Sequence, residues 1–120
     1  MRAPRVILVE DESLVALMMQ DLLADLGCEV VGSFGALAPA LAWLEAQPSA
    51  PDGAVLDVNL GGEMVFPLAA ALEARGAPYA FVTGYGAVDD ARFQHAPLIH
   101  KPVNSSLLAP LVEMFSIAIR

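Results

Sequence analysis

Five short apolar runs alternate with longer stretches of helical character, and that alternation constrains this chain more than any other feature. The runs are Arg5–Val9, Glu29–Ser33, Ala54–Asp57, Pro78–Thr83 and Pro97–His100. Each has strand length, and turn-forming residues bound several of them. Ser13 can cap a helix in which Leu14, Val15, Leu17, Met18, Leu22 and Leu26 recur at helical spacing, with Asp21 and Asp25 on the other face and Gly27 closing it. A second helix is expected from Leu37 to Gln47, stopped by the Pro48–Gly53 cluster, and a third from about Met64 to Arg75, closed by Gly76. Ala87–His95 has little periodicity, so a helix there is short or poorly held. A last helix runs from about Ser105 to the end, with Pro110 delaying or kinking it. Strands alternating with helices require a parallel sheet with right-handed crossovers, the α/β class.

Strands of such a sheet are buried on both faces, which accounts for a hydrophobic content of 57% without a membrane. The 120 residues fit one domain, spanning 1–120. A formal net charge of −8 argues against a nucleic-acid partner, which needs clustered Lys and Arg. No apolar run reaches the length of a membrane span. Cys28 is alone and cannot form an internal disulfide, so a cytoplasmic location is expected.

The strand ends carry the chemistry. The first strand ends on Glu10-Asp11-Glu12, the third on Asp57, the fourth on Thr83, and the fifth is followed by Lys101-Pro102. In a parallel sheet all of these face one crevice, where open α/β sheets bind their ligands. Two carboxylates about 5 Å apart at an effective dielectric near 20 repel by roughly 3 kcal/mol. A hard divalent cation resolves that conflict, and Mg²⁺ takes carboxylates, waters and phosphate oxygens. Lys101 offers a point charge to an anion and Thr83 a hydroxyl donor. Together they suit phosphoryl transfer onto a carboxylate.

On these motifs the chain resembles, over essentially its whole length, the receiver domains of two-component response regulators. The resemblance implies a doubly wound five-stranded sheet, flavodoxin-like in its order 2-1-3-4-5, with helices on both faces. It implies Asp57 as phosphoacceptor, and Mg²⁺ held by Glu10, Asp11, Asp57 and the backbone carbonyl of Asn59. It also implies Thr83 as switch hydroxyl and a cis peptide between Lys101 and Pro102. The expected function is a phosphoacceptor switch that takes a phosphoryl group from a histidine kinase or phosphotransfer protein. It catalyses only its own phosphorylation and dephosphorylation, and is no enzyme in the metabolic sense. With no second domain following, output is expected through binding or through a domain separated from this chain.

Two departures stand out. Leu98 occupies the place, three before the lysine, where many receivers carry an aromatic residue, and the segment between Thr83 and Lys101 is short. Phe81-Val82-Thr83-Gly84-Tyr85-Gly86 resembles instead a receiver subgroup, common in alphaproteobacteria, with a Phe-Ala-Thr-Gly-type motif on this strand. That subgroup implies a kinase of the HWE or a related type. Tyr85, between two glycines, is implied to border the phosphoryl group. The last helix is apolar nearly all round, so Met114 and Ile117 are expected to meet a homodimer mate or a kinase.

Other residues have structural readings. Glu12 is a helix-start acid, Cys28 a small buried apolar residue, Trp43 a packing residue, and His95 and His100 are polar surface or strand-edge groups. Two other functions compete. A haloacid-dehalogenase-type phosphatase also uses an aspartate nucleophile with Mg²⁺, but it needs a second acid two residues on, where this chain has Asn59. A degenerate receiver would bind partners without phosphorylation.

Overall fold

A computed structural model describes residues 2–84 and 86–119. In chain order the elements are β1 (Arg5–Val9), α1 (Ser13–Asp25), β2 (Glu29–Phe34), α2 (Leu37–Ala46) and β3 (Gly53–Asp57), followed by β4 (Asn59–Leu60), β5 (Glu63–Met64) and α3 (Phe66–Ala74). The chain continues through β6 (Tyr79–Thr83), a 3₁₀ turn (Ala91–Phe93), β7 (Leu98–His100) and α4 (Ser105–Ala118). Five strands form one parallel sheet in the order β2-β1-β3-β6-β7, the flavodoxin-like order expected, with the small β4-β5 hairpin apart from it. No described helix is long and apolar enough to cross a membrane.

Side chains of a strand alternate between its faces, and here both faces are packed. Ile7, Val9, Ala54, Leu56, Tyr79 and Phe81 join α2, α3 and Phe93 in one core. Val6, Leu8, Val55, Ala80, Val82 and Ile99 join α1 and α4 in the other. Helices therefore cover both faces of the sheet. Trp43 packs its ring against Phe34, and Cys28 lies buried beneath α1 and α4, as their apolar character requires.

Four local expectations are corrected. The inward face of α1 is Ala16, Met19 and Leu23, whereas Leu14, Leu17 and Met18 are exposed. Asp21 and Asp25, expected on the other face, are exposed on the same side as these three, at i+7 from Leu14 and Met18, and their charges mark it as the side turned away from the sheet. Its N-cap is Glu12, not Ser13, and no side-chain hydrogen bond caps it. Residues 59–64 form a hairpin, so α3 starts at Phe66 rather than Met64, with Pro67 in its first turn. The turn, Gly61-Gly62, has positive φ at both positions, the backbone that a tight two-residue hairpin requires. Finally, α4 runs unbroken through Pro110 from an Asn104 cap whose side chain accepts from the Leu107 N–H.

Gly53 begins β3 directly beneath the buried Phe115 ring, and a Cβ there would sit well inside that ring's van der Waals contact. Gly53→Ala is expected to destabilise the fold by about 2 kcal/mol, the usual scale of overpacking. The melting temperature should then fall by roughly 6 °C. Adding Phe115→Leu should recover part of the loss; a Gly53→Ala protein that melts like wild type would show that the ring yields freely.

Candidate functional site

Sheet register brings the strand-end residues together. Val9 pairs with Leu56, so Glu10 leaves β1 beside Asp57 at the end of β3. Asp57 pairs with Val82, which sets Thr83 one step beyond it on β6. Thr83 pairs with His100, so Lys101 is the next residue out on β7. The Lys101 N–H donates to the Thr83 carbonyl at 2.8 Å, and the Lys101–Pro102 peptide is cis, as the resemblance implied. Every polar group is thus fixed by backbone pairing at the carboxyl edge of the sheet, beside the β1/β3 switch point.

Lys101 is the electrostatic centre. Its Nζ lies 2.7 Å from Glu10 Oε1, 3.3 Å from Asp57 Oδ2 and 3.4 Å from Glu12 Oε1. Glu10 and Asp57 are the two buried charged side chains among the described residues. Burial, then the Glu10 carboxylate, pushes Asp57 up to about 7, and Lys101 only partly offsets them. Burial also works against the Lys101 ammonium, yet Glu10 and Asp57 outweigh it and raise its pKa. One lysine therefore holds two buried acids.

The Asn59 N–H donates to Asp57 Oδ1 at 3.3 Å, leaving Oδ2 toward Lys101. The Asn59 side chain is committed to the hairpin, where its Oδ1 accepts from the Gly62 N–H at 2.6 Å. It cannot serve as the general acid that a dehalogenase-type phosphatase needs. The Glu12 N–H donates to Glu10 Oε2 at 3.1 Å, so the acidic triplet folds back on itself.

A crevice of about 560 Å³ opens over these groups, lined by Asp11, Glu12, Asp57, Thr83 and Lys101. Lining residues not foreseen as site residues include Met64 on β5, Phe66 at the start of α3, and Ala87 and Asp89 after β6. The glycine pair at 61–62, between short potential strands, was the one signal that could have placed Met64 and Phe66 there. Leu98 is half-buried on the α2/α3 face beside Phe81, its register partner. Tyr85 lies outside the described residues. The histidines are bound locally, His100 Nε2 to the Gly86 carbonyl at 2.8 Å and His95 Nε2 to Glu73 Oε1 at 2.9 Å.

No protein-family model matches the chain. No curated protein matches it either. Solved structures do. SdrG from Sphingomonas melonis Fr1 is 38% identical with a TM-score of 0.80, covering 95% of this chain and 97% of SdrG. The BeF3-activated conformation of SdrG, from Pseudomonas melonis Fr1, is 39% identical with a TM-score of 0.75, covering 94% and 97%. The signal receiver domain of a modulated diguanylate cyclase from Desulfovibrio desulfuricans G20 is 28% identical with a TM-score of 0.82, covering 98% and 97%. The chain belongs to the response-regulator receiver domains.

A response-regulator signalling role follows from that membership. Receiver domains bind Mg²⁺ through an acidic cluster, and this one carries Glu10, Asp11 and Glu12 with ligand oxygens all within 4.8 Å of one another. The donor set fits a hard cation, since every candidate atom is a carboxylate or carbonyl oxygen. Glu10 Oε1 adds a specific sign. It is buried and lies at ion-pair distance from Lys101, but outside hydrogen-bonding geometry, so it has no directional partner. A buried carboxylate oxygen left in that condition has capacity to spare for a metal.

Proposed function

We propose that this receiver domain is a phosphoacceptor switch in which Asp57 takes a phosphoryl group from a partner's phosphohistidine. The observation that carries the reading is the Lys101 ammonium, which spans the buried Glu10 and Asp57 at the carboxyl edge of the sheet. An isolated buried carboxylate costs several kcal/mol, and one so placed between a cation and an open crevice has a reason to be there.

In this reading an Asp57 carboxylate oxygen attacks phosphorus in line with the leaving imidazole. The P–N bond breaks as the acyl phosphate P–O bond forms. The Asn59 N–H orients the carboxylate through Oδ1. Lys101, already in the crevice, takes a phosphoryl oxygen and so exchanges one anionic partner for another. Thr83 supplies a hydroxyl donor from the neighbouring strand end. Glu10, Asp11, Asp57 and the Asn59 carbonyl would hold Mg²⁺, which when bound neutralises charge on the transferred group. Hydrolysis of the acyl phosphate resets the switch, and the chain modifies no other substrate. The setting is cytoplasmic, and the Phe81–Gly86 motif favours a kinase of the HWE or related type.

The donor must bring its histidine into the crevice, so it must cover the rim. Helix α1 starts at that rim, one residue after Glu12, and presents Leu14, Leu17 and Met18, exposed at i, i+3 and i+4 spacing. We assign the donor's contact to this apolar strip. The last helix keeps Ile117 exposed and Met114 half-buried, and a homodimer through it is read by light scattering at rising concentration.

Acetyl phosphate with Mg²⁺ should add one phosphoryl group by intact mass, and EDTA should prevent it. Sustained release of phosphate from a generic phosphomonoester would favour the phosphatase. No incorporation under any donor would favour the degenerate receiver.

A further inference from the structure

One wall of the crevice is the β4–β5 hairpin, and nothing in the attack by Asp57 requires it. The hairpin starts two residues after Asp57, and Asn59, Gly61, Gly62 and Met64 all line the crevice. Its turn reaches the acidic rim, since a Cβ on Gly61 would lie 3.7 Å from Asp11 Oδ2. The hairpin is held firmly. The Val65 N–H donates to the Val58 carbonyl at 3.0 Å, and the Gly62 N–H donates to Asn59 Oδ1 at 2.6 Å. Leu60 is buried in the core under α2 and α3, which fixes the face that its neighbours present.

That register decides where Met64 stands. Met64 pairs with Asn59 across the hairpin, so the two side chains share one face. The Asn59 N–H is itself bonded to Asp57 Oδ1 at 3.3 Å. Backbone pairing therefore sets Met64 against the immediate neighbour of the phosphoacceptor. Its chemistry is at odds with the acids, hydroxyl and ammonium around it. Of the large apolar side chains exposed among the described residues, Met64 alone lines the crevice, and it is 44% exposed. A thioether chain donates no hydrogen bond to a phosphoryl oxygen. It is unbranched and adapts to an irregular gap, and what an apolar chain does in such a gap is exclude water.

We propose that Met64 sets the lifetime of the phosphorylated state by keeping water from the phosphorus on the hairpin side. The inference rests on the phosphoacceptor reading above. Resetting the switch takes a water whose oxygen bonds to phosphorus as the P–O bond to Asp57 breaks. The electron pair of that bond stays on the Asp57 carboxylate, and the protons of the water pass to the released phosphate and to solvent. Met64 fills part of the space over the crevice that this water must cross.

The test uses protein phosphorylated with acetyl phosphate and Mg²⁺, then freed of donor and followed by intact mass in Mg²⁺ buffer. Residue 64 is exposed, so substitutions there leave the fold in place. Met64→Ala should lose its phosphoryl group at least about fivefold faster than wild type. Met64→Leu, close to methionine in volume, should stay within about twofold of wild type. In concentrated guanidinium chloride, where no crevice exists, all three should decay alike. A Met64→Ala lifetime as long as that of wild type, or longer, overturns the shielding and leaves the phosphoacceptor reading intact. So does a Met64→Leu lifetime as short as that of Met64→Ala, or a difference that persists in denaturant. A wild type that takes up no phosphoryl group overturns both.

Discussion

Asp57→Asn is expected to reduce phosphoryl incorporation from acetyl phosphate to background, a loss of at least about a thousandfold. The amide keeps the shape and the Asn59 contact but removes the nucleophilic oxygen. The crevice holds no second acid in an equivalent setting. Glu10 is buried and paired with Lys101, while Asp11, Glu12 and Asp89, which line the crevice, are exposed. Lys101→Ala should slow incorporation by about a hundredfold, because it removes the cation that meets the transferred oxygens. It should also destabilise the protein, since Glu10 would be left buried without its 2.7 Å partner. Asp11→Ala should remove the dependence on Mg²⁺ while leaving the fold intact, because Asp11 is exposed. Mass spectrometry of intact and digested protein reads all three. A phosphorylated Asp57→Asn protein, modified at another residue, would sink the assignment.

The site was legible because strand ends are legible. A buried run that stops on an acid, a hydroxyl or a lysine marks its own carboxyl end, and parallel pairing does the rest. Asp57, Glu10, Thr83 and Lys101 needed no side-chain information to be placed together. Helix α1 shows the opposite case. Leu14, Leu17 and Met18 make a stripe of larger apolar residues than Ala16, Met19 and Leu23, but Asp21 and Asp25 stand on the same side as that stripe and turn it to solvent, a charge signal that outweighs the count of leucines. The segment after β6 was equally hidden. Ala87–His95 has too few apolar residues for a periodic signal, and its position depends on Phe93 meeting Phe66, about a quarter of the chain away in sequence. Long-range ring contacts of that kind leave no local pattern.

A stability test reaches the same carboxylate from another side. In metal-free protein the Asp57 carboxyl titrates at about 7 against 3.8 for the free group, first because it is buried and then because Glu10 is beside it. Its folded pKa is raised, so between about pH 4 and 7 the folded state binds a proton that the unfolded state has released. Stability is therefore lost as pH rises through that window and stays low above it. The full shift would correspond to about 4 kcal/mol, and since Lys101 shares the titration, about half that is the better expectation. Asp57→Asn removes this penalty. It also removes the Lys101–Asp57 attraction, but Glu10 keeps the ammonium paired at 2.7 Å, so that loss is the smaller one. In EDTA at pH 8 the Asn variant should melt higher than wild type by roughly 6 °C, and the gap should close near pH 4. Mg²⁺ at ten times its dissociation constant should return about 1.4 kcal/mol to wild type, and much less to a variant that lacks the Asp57 carboxylate. Thermal melts of both proteins at pH 4, 6 and 8, with and without Mg²⁺, settle the matter. An Asn variant that melts lower than wild type at pH 8 in EDTA, or a gap that does not change with pH, would mean that the lysine and not the burial governs this carboxylate.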